Sequence, residues 1–205
     1  MRNKAKFFFL SVVLISLVIT TASCLSNPSR HYYQLNADNQ QNSSSVVSEK
    51  SLAISRIEID DFYDSYRIAY RDSKYEINRY LYHLWYKKPS FMIRDILASY
   101  FRSNRLFART FSRLDEGDPD YILNCRVICL EEYFEGKNVW AHLAMDIRIK
   151  DVKSGALLLA HQFDRREPAL GPLLVDLVKT MSVVLGEELN AFSAQIASRL
   201  STSNT

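Results

Sequence analysis

The chain has 205 residues, 47% apolar and 24% charged, the balance of a packed globular domain, which excludes a disordered chain, a collagen and a multi-span membrane protein. Three Cys exclude a disulfide-stapled mini-fold, and only 5 Gly and 5 Pro argue against a Gly-rich nucleotide-binding architecture. The formal charge of +3 reflects Arg2, Lys4 and Lys6 at the very start; beyond them basic and acidic residues balance at 23 each, so the electrostatic footprint of a nucleic-acid binder is missing.

Those three cations precede an apolar run from Phe7 to Ile19. It is shorter than the roughly 20 residues a bilayer span needs and fits a signal h-region. Thr20-Thr21-Ala22-Ser23-Cys24 follows. Small residues before a Cys at this distance resemble a bacterial lipobox, whose Cys is lipidated and becomes the mature N-terminus. Thr21 stands where that motif usually has Leu. The alternative is an ordinary secretory signal cut after Ser23, with an incidental Cys24. Each buried methylene contributes about 0.8 kcal/mol, so acyl chains such as palmitate on Cys24 make anchoring effectively permanent. Leu25 rather than Asp after the Cys favours the outer membrane, by resemblance to enterobacterial sorting. The expected organisation is a signal peptide at 1–23, a lipidated N-terminus with a flexible tether at 24–51, and a single domain at 52–201.

The tether is polar and cannot bury enough apolar surface to order itself. One segment interrupts it. His31-Tyr32-Tyr33-Gln34-Leu35 is aromatic with strand propensity, and is expected to dock at 31–35, either as an edge strand of the chain's own sheet or on a partner. Leu52, Ile54, Ile57 and Ile59 then read as a strand with an irregularity near Arg56. Two short strands flank Asp72-Ser73. Tyr80, Tyr82, Trp85 and Tyr86 form an aromatic run denser than a connection requires, read either as core or as a protein or lipid contact. Pro89 opens a helix with an apolar stripe at Phe91, Ile93, Ile96, Leu97, Tyr100 and Phe101, ending near Ser103-Asn104. Leu106–Phe111 reads as a strand, and a meander follows from Tyr121 to Asp164, with turns at Gly136 and Gly155. Leu174 to Leu200 carries the stripe of a last helix of up to about 29 residues. The predicted fold is α+β: a mostly antiparallel sheet with two helices packed on one face. The other face is left for a partner or a second protomer.

No catalytic constellation is visible. His31, His83, His142 and His161 show no ligand spacing, and GxSxG, Walker and GxGxxG patterns are missing. Asp60, Asp61 and Asp64 lack the glycine and ligand order of a calcium loop and read as a solvated turn. Cys125 and Cys129 would sit about 13 Å apart along a strand, too far for a disulfide. Sharing a face with Leu123 and Val127, they read as two core thiols. His142 and Asp146 lie opposite the Leu143–Ile149 stripe and read as outer-surface decoration. Arg102, Arg105, Arg109 and Arg113 read as a solvated basic face. No metal site and no cofactor are expected beyond a covalent lipid on Cys24.

Taken together, the pieces resemble the ABC-type transport auxiliary lipoprotein family, the PqiC/YmbA-like proteins. The landmarks are Cys24, then Tyr32-Tyr33-Gln34-Leu35 shortly after it, Ile57-Glu58-Ile59 before Asp60–Asp64, Arg67–Arg71, and His83-Leu84-Trp85-Tyr86-Lys87-Lys88-Pro89 before the first helix. The family's Leu-Pro after the Ile57–Ile59 strand is missing here. The resemblance implies a non-enzymatic lipoprotein at the outer membrane, facing the periplasm. It implies an MCE-domain protein and ABC transporter subunits as partners, in a system moving lipids or other hydrophobic molecules. Tyr32, Tyr33, Leu35, Tyr82, Trp85 and Tyr86 are the candidate partner-binding residues. The competing reading is an LptE-like or pilotin-like assembly lipoprotein, which a basic patch would favour.

Overall fold

One long strand organises the sheet, because its edge is shared among three shorter strands that precede it in the chain. The computed structural model describes residues 29–37 and 46–202. The expected signal peptide, Cys24 and the tether stretches 24–28 and 38–45 lie outside the described residues. Strands β2 (Ser48–Ile54), β3 (Glu58–Ile59) and β4 (Arg67–Ser73) run parallel to β7 (Tyr121–Glu135). Leu52 lies beside Tyr121, Glu58 beside Arg126 and Ala69 beside Glu131. The gap after Ile54 is the irregularity expected near Arg56. β2 begins at Ser48, inside the stretch read as tether.

The other edge of β7 pairs antiparallel with β8 (Asn138–Asp151), which pairs with β9 (Leu157–Pro168). Gly136 and Gly155 turn these hairpins with φ of +63° and +71°, where a Cβ would be strained. β5 (Glu76–Trp85) folds back on β4, β1 (His31–Tyr33) joins β5 in parallel, and β6 (Phe107–Phe111) joins β2 in parallel. The sheet is therefore curled and mixed, with five of the eight pairings among the described residues parallel, a correction to the mostly antiparallel expectation. Tight turns reveal antiparallel hairpins in a sequence, whereas parallel partners meet only through long crossovers that leave no local mark.

Helix α1 (Pro89–Ser103) starts with Pro in its first turn, where no N–H is needed. Asp64, from the loop before β4, caps it: its carboxylate accepts from the Ser90 N–H (2.9 Å) and hydroxyl (3.0 Å). Helix α2 spans Leu174–Thr202. Met92, Ile93, Leu97 and Phe101 of α1 and Leu177, Met181, Leu185, Leu189, Phe192 and Ile196 of α2 join Leu52, Ile54, Leu123, Leu143, Met145 and Ile147 in one core. Phe101 meets Phe192 edge-on, and the Tyr100 hydroxyl donates to Asn190 at 2.8 Å. Each such buried large side chain contributes about 1.5–3 kcal/mol. Among the described residues no helix is long and apolar enough to cross a membrane.

A bulge divides β7. Val127 faces Met145 and Cys129 faces Ala144, so Ile128 is an extra residue. Before it, Leu123, Cys125 and Val127 point into the core; after it, Leu130 does. Cys129 and Glu131 are thereby turned to the sheet's outer face. This corrects the reading of Cys125 and Cys129 as neighbours on one apolar face.

Candidate functional site

The two aromatic segments singled out in the sequence become neighbouring strands. β1 lies against the end of β5 with His31 beside His83, Tyr32 beside Leu84 and Tyr33 beside Trp85. On its other edge β5 departs from β4: Arg67 pairs with Leu84 and Ala69 with Arg79, so Tyr80–His83 stand opposite the single residue Ile68. That wide irregularity splays the aromatic side chains instead of alternating them. His83 stacks on His31 (5.4 Å) and meets Tyr80 edge-on, Tyr80 packs on Tyr70, and the Tyr33 hydroxyl bonds His83 Nδ1 at 2.9 Å. Burial and the neighbouring His31 lower the pKa of His83. The Tyr80 hydroxyl donates to the buried Glu132, whose pKa burial raises.

The six candidate partner-binding residues divide in two. Leu35 and Trp85 are each 1% exposed and belong to the core, and Tyr33 is half-buried. The Tyr86 N–H donates to the Tyr33 carbonyl, and the Asn36 N–H to the Ser182 hydroxyl, so segment 31–37 is fastened to β5 and α2. Tyr32, Tyr82 and Tyr86 remain exposed. Beside β1 a groove of about 680 Å³ runs along α2, with Tyr32, Leu170, Val175 and Val183 on its walls together with Lys179 and Glu187. Of the basic run, Arg102, Arg105 and Arg109 line one shallow pocket with Phe107 and Phe111, Arg102 also bonding Ser112, whereas Arg113 pairs with Asp115 and Glu116.

A second cluster occupies the outer face at the centre of the sheet. Glu131 and His142 are direct cross-strand partners, and Cys129 comes from two residues before Glu131. His142 was expected as surface decoration and is instead buried, with Nδ1 3.1 Å from Cys129 Sγ and 3.3 Å from Glu131 Oε1, and Nε2 2.8 Å from Asp164. Arg71 of β4 grips Glu131 through two nitrogens, at 2.6 and 3.1 Å. Tyr63, from the loop between β3 and β4, covers the cluster and donates to Glu131 at 2.7 Å. Burial would raise the Glu131 pKa, but bonds from His142, Arg71 and Tyr63 overcome it and hold it down at about 2. Burial pushes the Cys129 thiol and the Tyr63 hydroxyl up. The sequence reading took His142 and Cys129 separately and missed Tyr63, Arg71, Glu131 and Asp164 as their partners. The available signal was the lost alternation at Val127-Ile128, followed by Leu130 and a pair of acids.

The model of the family described as ABC-type transport auxiliary lipoprotein component matches residues 33–197. The chain belongs to this family. The match begins at Tyr33, the last residue of β1, and runs into α2, so it takes in the polar cluster and the aromatics of β5 but not His31 or Tyr32. The fold is similar to that of XCC0632 from Xanthomonas campestris, at 16% identity and TM-score 0.72, over 85% of this chain and all of that one. A second, uncharacterized protein of known structure aligns at 17% identity and TM-score 0.64, over 84% of this chain and 99% of its own. No curated protein matches the sequence.

Proposed function

We propose that this member of the transport auxiliary family is an outer-membrane lipoprotein, anchored through Cys24 and facing the periplasm. In this reading it acts by binding rather than by chemistry. It docks on an MCE-domain protein and ties it, with its ABC transporter subunits, to the outer membrane in a system that moves lipids or other hydrophobic molecules. The observation that carries the reading is the juxtaposition of β1 and β5, which leaves Tyr32, Tyr82 and Tyr86 exposed around one sheet edge, with Tyr32 lining a groove of mixed polar and apolar character. Exposed aromatics next to a groove are the usual anchors of a protein interface.

The test is crosslinking in the protein's own cells, with the tagged, lipidated full chain, followed by mass spectrometry. An MCE-type protein and its ABC subunits are expected. Combined Tyr32→Ala, Tyr82→Ala and Tyr86→Ala should lower their recovery about tenfold, the equivalent of roughly 1.4 kcal/mol at the interface. Trp85→Ala would not serve, because that ring is in the core. Recovery of an outer-membrane barrel alone, or of no transporter component, overturns the reading.

A further inference from the structure

Three donor atoms of different chemistry converge under the sheet's outer surface. Cys129 Sγ, His142 Nδ1 and a Glu131 carboxylate oxygen lie within 4.8 Å of one another, and all three residues are buried. Nδ1 is 3.1 Å from Sγ and 3.3 Å from Oε1. Tetrahedral ligands bound at about 2.0–2.3 Å stand roughly 3.5 Å apart, so this spacing is close to that of a coordination sphere.

The hydrogen bonds around the three atoms also fit. His142 Nε2 lies 2.8 Å from Asp164 Oδ1. A carboxylate only accepts, so Nε2 carries a proton; a cation that replaces the proton shared between Nδ1 and Glu131 would meet an Nδ1 lone pair aimed at the thiol and at Glu131. A carboxylate holding the far nitrogen is the arrangement that orients metal-bound histidines. Glu131 Oε1 already accepts from Arg71, yet each carboxylate oxygen has two lone pairs. Charge balances as well. A Cys129 thiolate with Glu131 and Asp164 makes three negative groups; Arg71 offsets one, and a divalent cation offsets the other two.

We propose that Cys129, Glu131 and His142 bind one divalent cation of the zinc class. One thiolate, one imidazole and one carboxylate suit zinc, whereas magnesium and calcium require oxygen ligands throughout. Tyr63 stands over the site, its hydroxyl 3.6 Å from Sγ, so the ion fastens the loop between β3 and β4 to the centre of the sheet. The site is separate from the β1–β5 edge and does not depend on the adaptor reading. The competing occupant is a proton, giving an imidazolium that donates to both Glu131 and Asp164 beside a neutral thiol.

The untagged full chain in detergent, stripped with a chelator, decides between them on titration with Co²⁺. The expected result is saturation at one equivalent, with a thiolate-to-cobalt charge-transfer band in the near ultraviolet and the strong visible bands of four-coordinate cobalt. Zn²⁺ should erase both. Cys129→Ser should lose the charge-transfer band, His142→Ala should lose saturation at one equivalent, and Cys125→Ala should keep both. A wild-type protein without the charge-transfer band overturns the proposal whatever the variants do, as does a band that survives Cys129→Ser. Near-ultraviolet circular dichroism checks that each variant is folded; should His142→Ala unfold, the wild-type and Cys125→Ala titrations decide.

Discussion

Cys125 and Cys129 stand four residues apart on one strand and occupy opposite surroundings. Cys125 is part of the apolar core with Leu123 and Val127. Cys129 lies on the other side of the sheet against His142 and Tyr63. The difference comes from one inserted residue, Ile128, which reverses the parity of everything after it. On the inner side shape complementarity holds the strand, and on the outer side hydrogen bonds and charge do. The same strand therefore answers to two kinds of physics in its two halves.

Inserting one alanine between Cys129 and Leu130 should break this contrast most severely. It turns Leu130 outward and swings Glu131 toward the core, away from Arg71 and Tyr63. An unpaired buried charge costs several kcal/mol, a large part of the roughly 5–15 kcal/mol that a domain has. The lengthened chain is expected to lack the near-ultraviolet circular dichroism of the parent and to unfold without cooperativity. A native spectrum would show that the strand absorbs the added residue as a second bulge.

Glu131→Gln comes next. The amide keeps the shape but leaves the guanidinium of Arg71 without its counter-charge. Loss of one partner of a buried pair costs about 3–5 kcal/mol. The lower end is expected, because the Arg71 side chain keeps 24% of its exposure. Urea unfolding of the two proteins measures it; a change below about 1 kcal/mol would place the pair in the class of surface ion pairs.

The finest probe is serine at each thiol, in metal-free buffer. Cys125→Ser puts a hydroxyl among apolar neighbours and should cost about 1–3 kcal/mol. Cys129→Ser offers the hydroxyl His142 Nδ1 and the Tyr63 oxygen as partners, and should cost less than about 1 kcal/mol. Equal losses in thermal or urea unfolding would mean that the two thiols share one environment after all.

Much of the fold was legible, for identifiable reasons. The start of α1 follows from Pro89, the extent of both helices from a 3.6-residue stripe, and the β7–β8 and β8–β9 turns from Gly136 and Gly155. Parallel pairing was not legible, because nothing local distinguishes Leu52 facing Tyr121 from Leu52 facing a hairpin partner. The aromatic segments were recognisable one by one, yet only the fold shows Tyr33 beside Trp85 and sorts exposed Tyr32 from buried Leu35. The polar cluster was hidden by the bulge. Counted by alternation, Cys129 belongs to the core and His142 to the surface; one inserted residue makes them neighbours.

The shared edge of β7 also sets a timetable. β2, β3 and β4 are synthesised first, but most of their sheet partners lie in residues made much later, as when Leu52 meets Tyr121 and Ala69 meets Glu131. The β4–β5 hairpin closes locally, and β1–β5 and β2–β6 can also pair before β7 is made, though each joins strands far apart in the chain. Pairings between residues so distant in the chain form slowly. As the chain grows from its N-terminus, its first half carries apolar strands with open edges until β7 arrives. During that interval the nascent protein is exposed to mispairing and most in need of a holding chaperone.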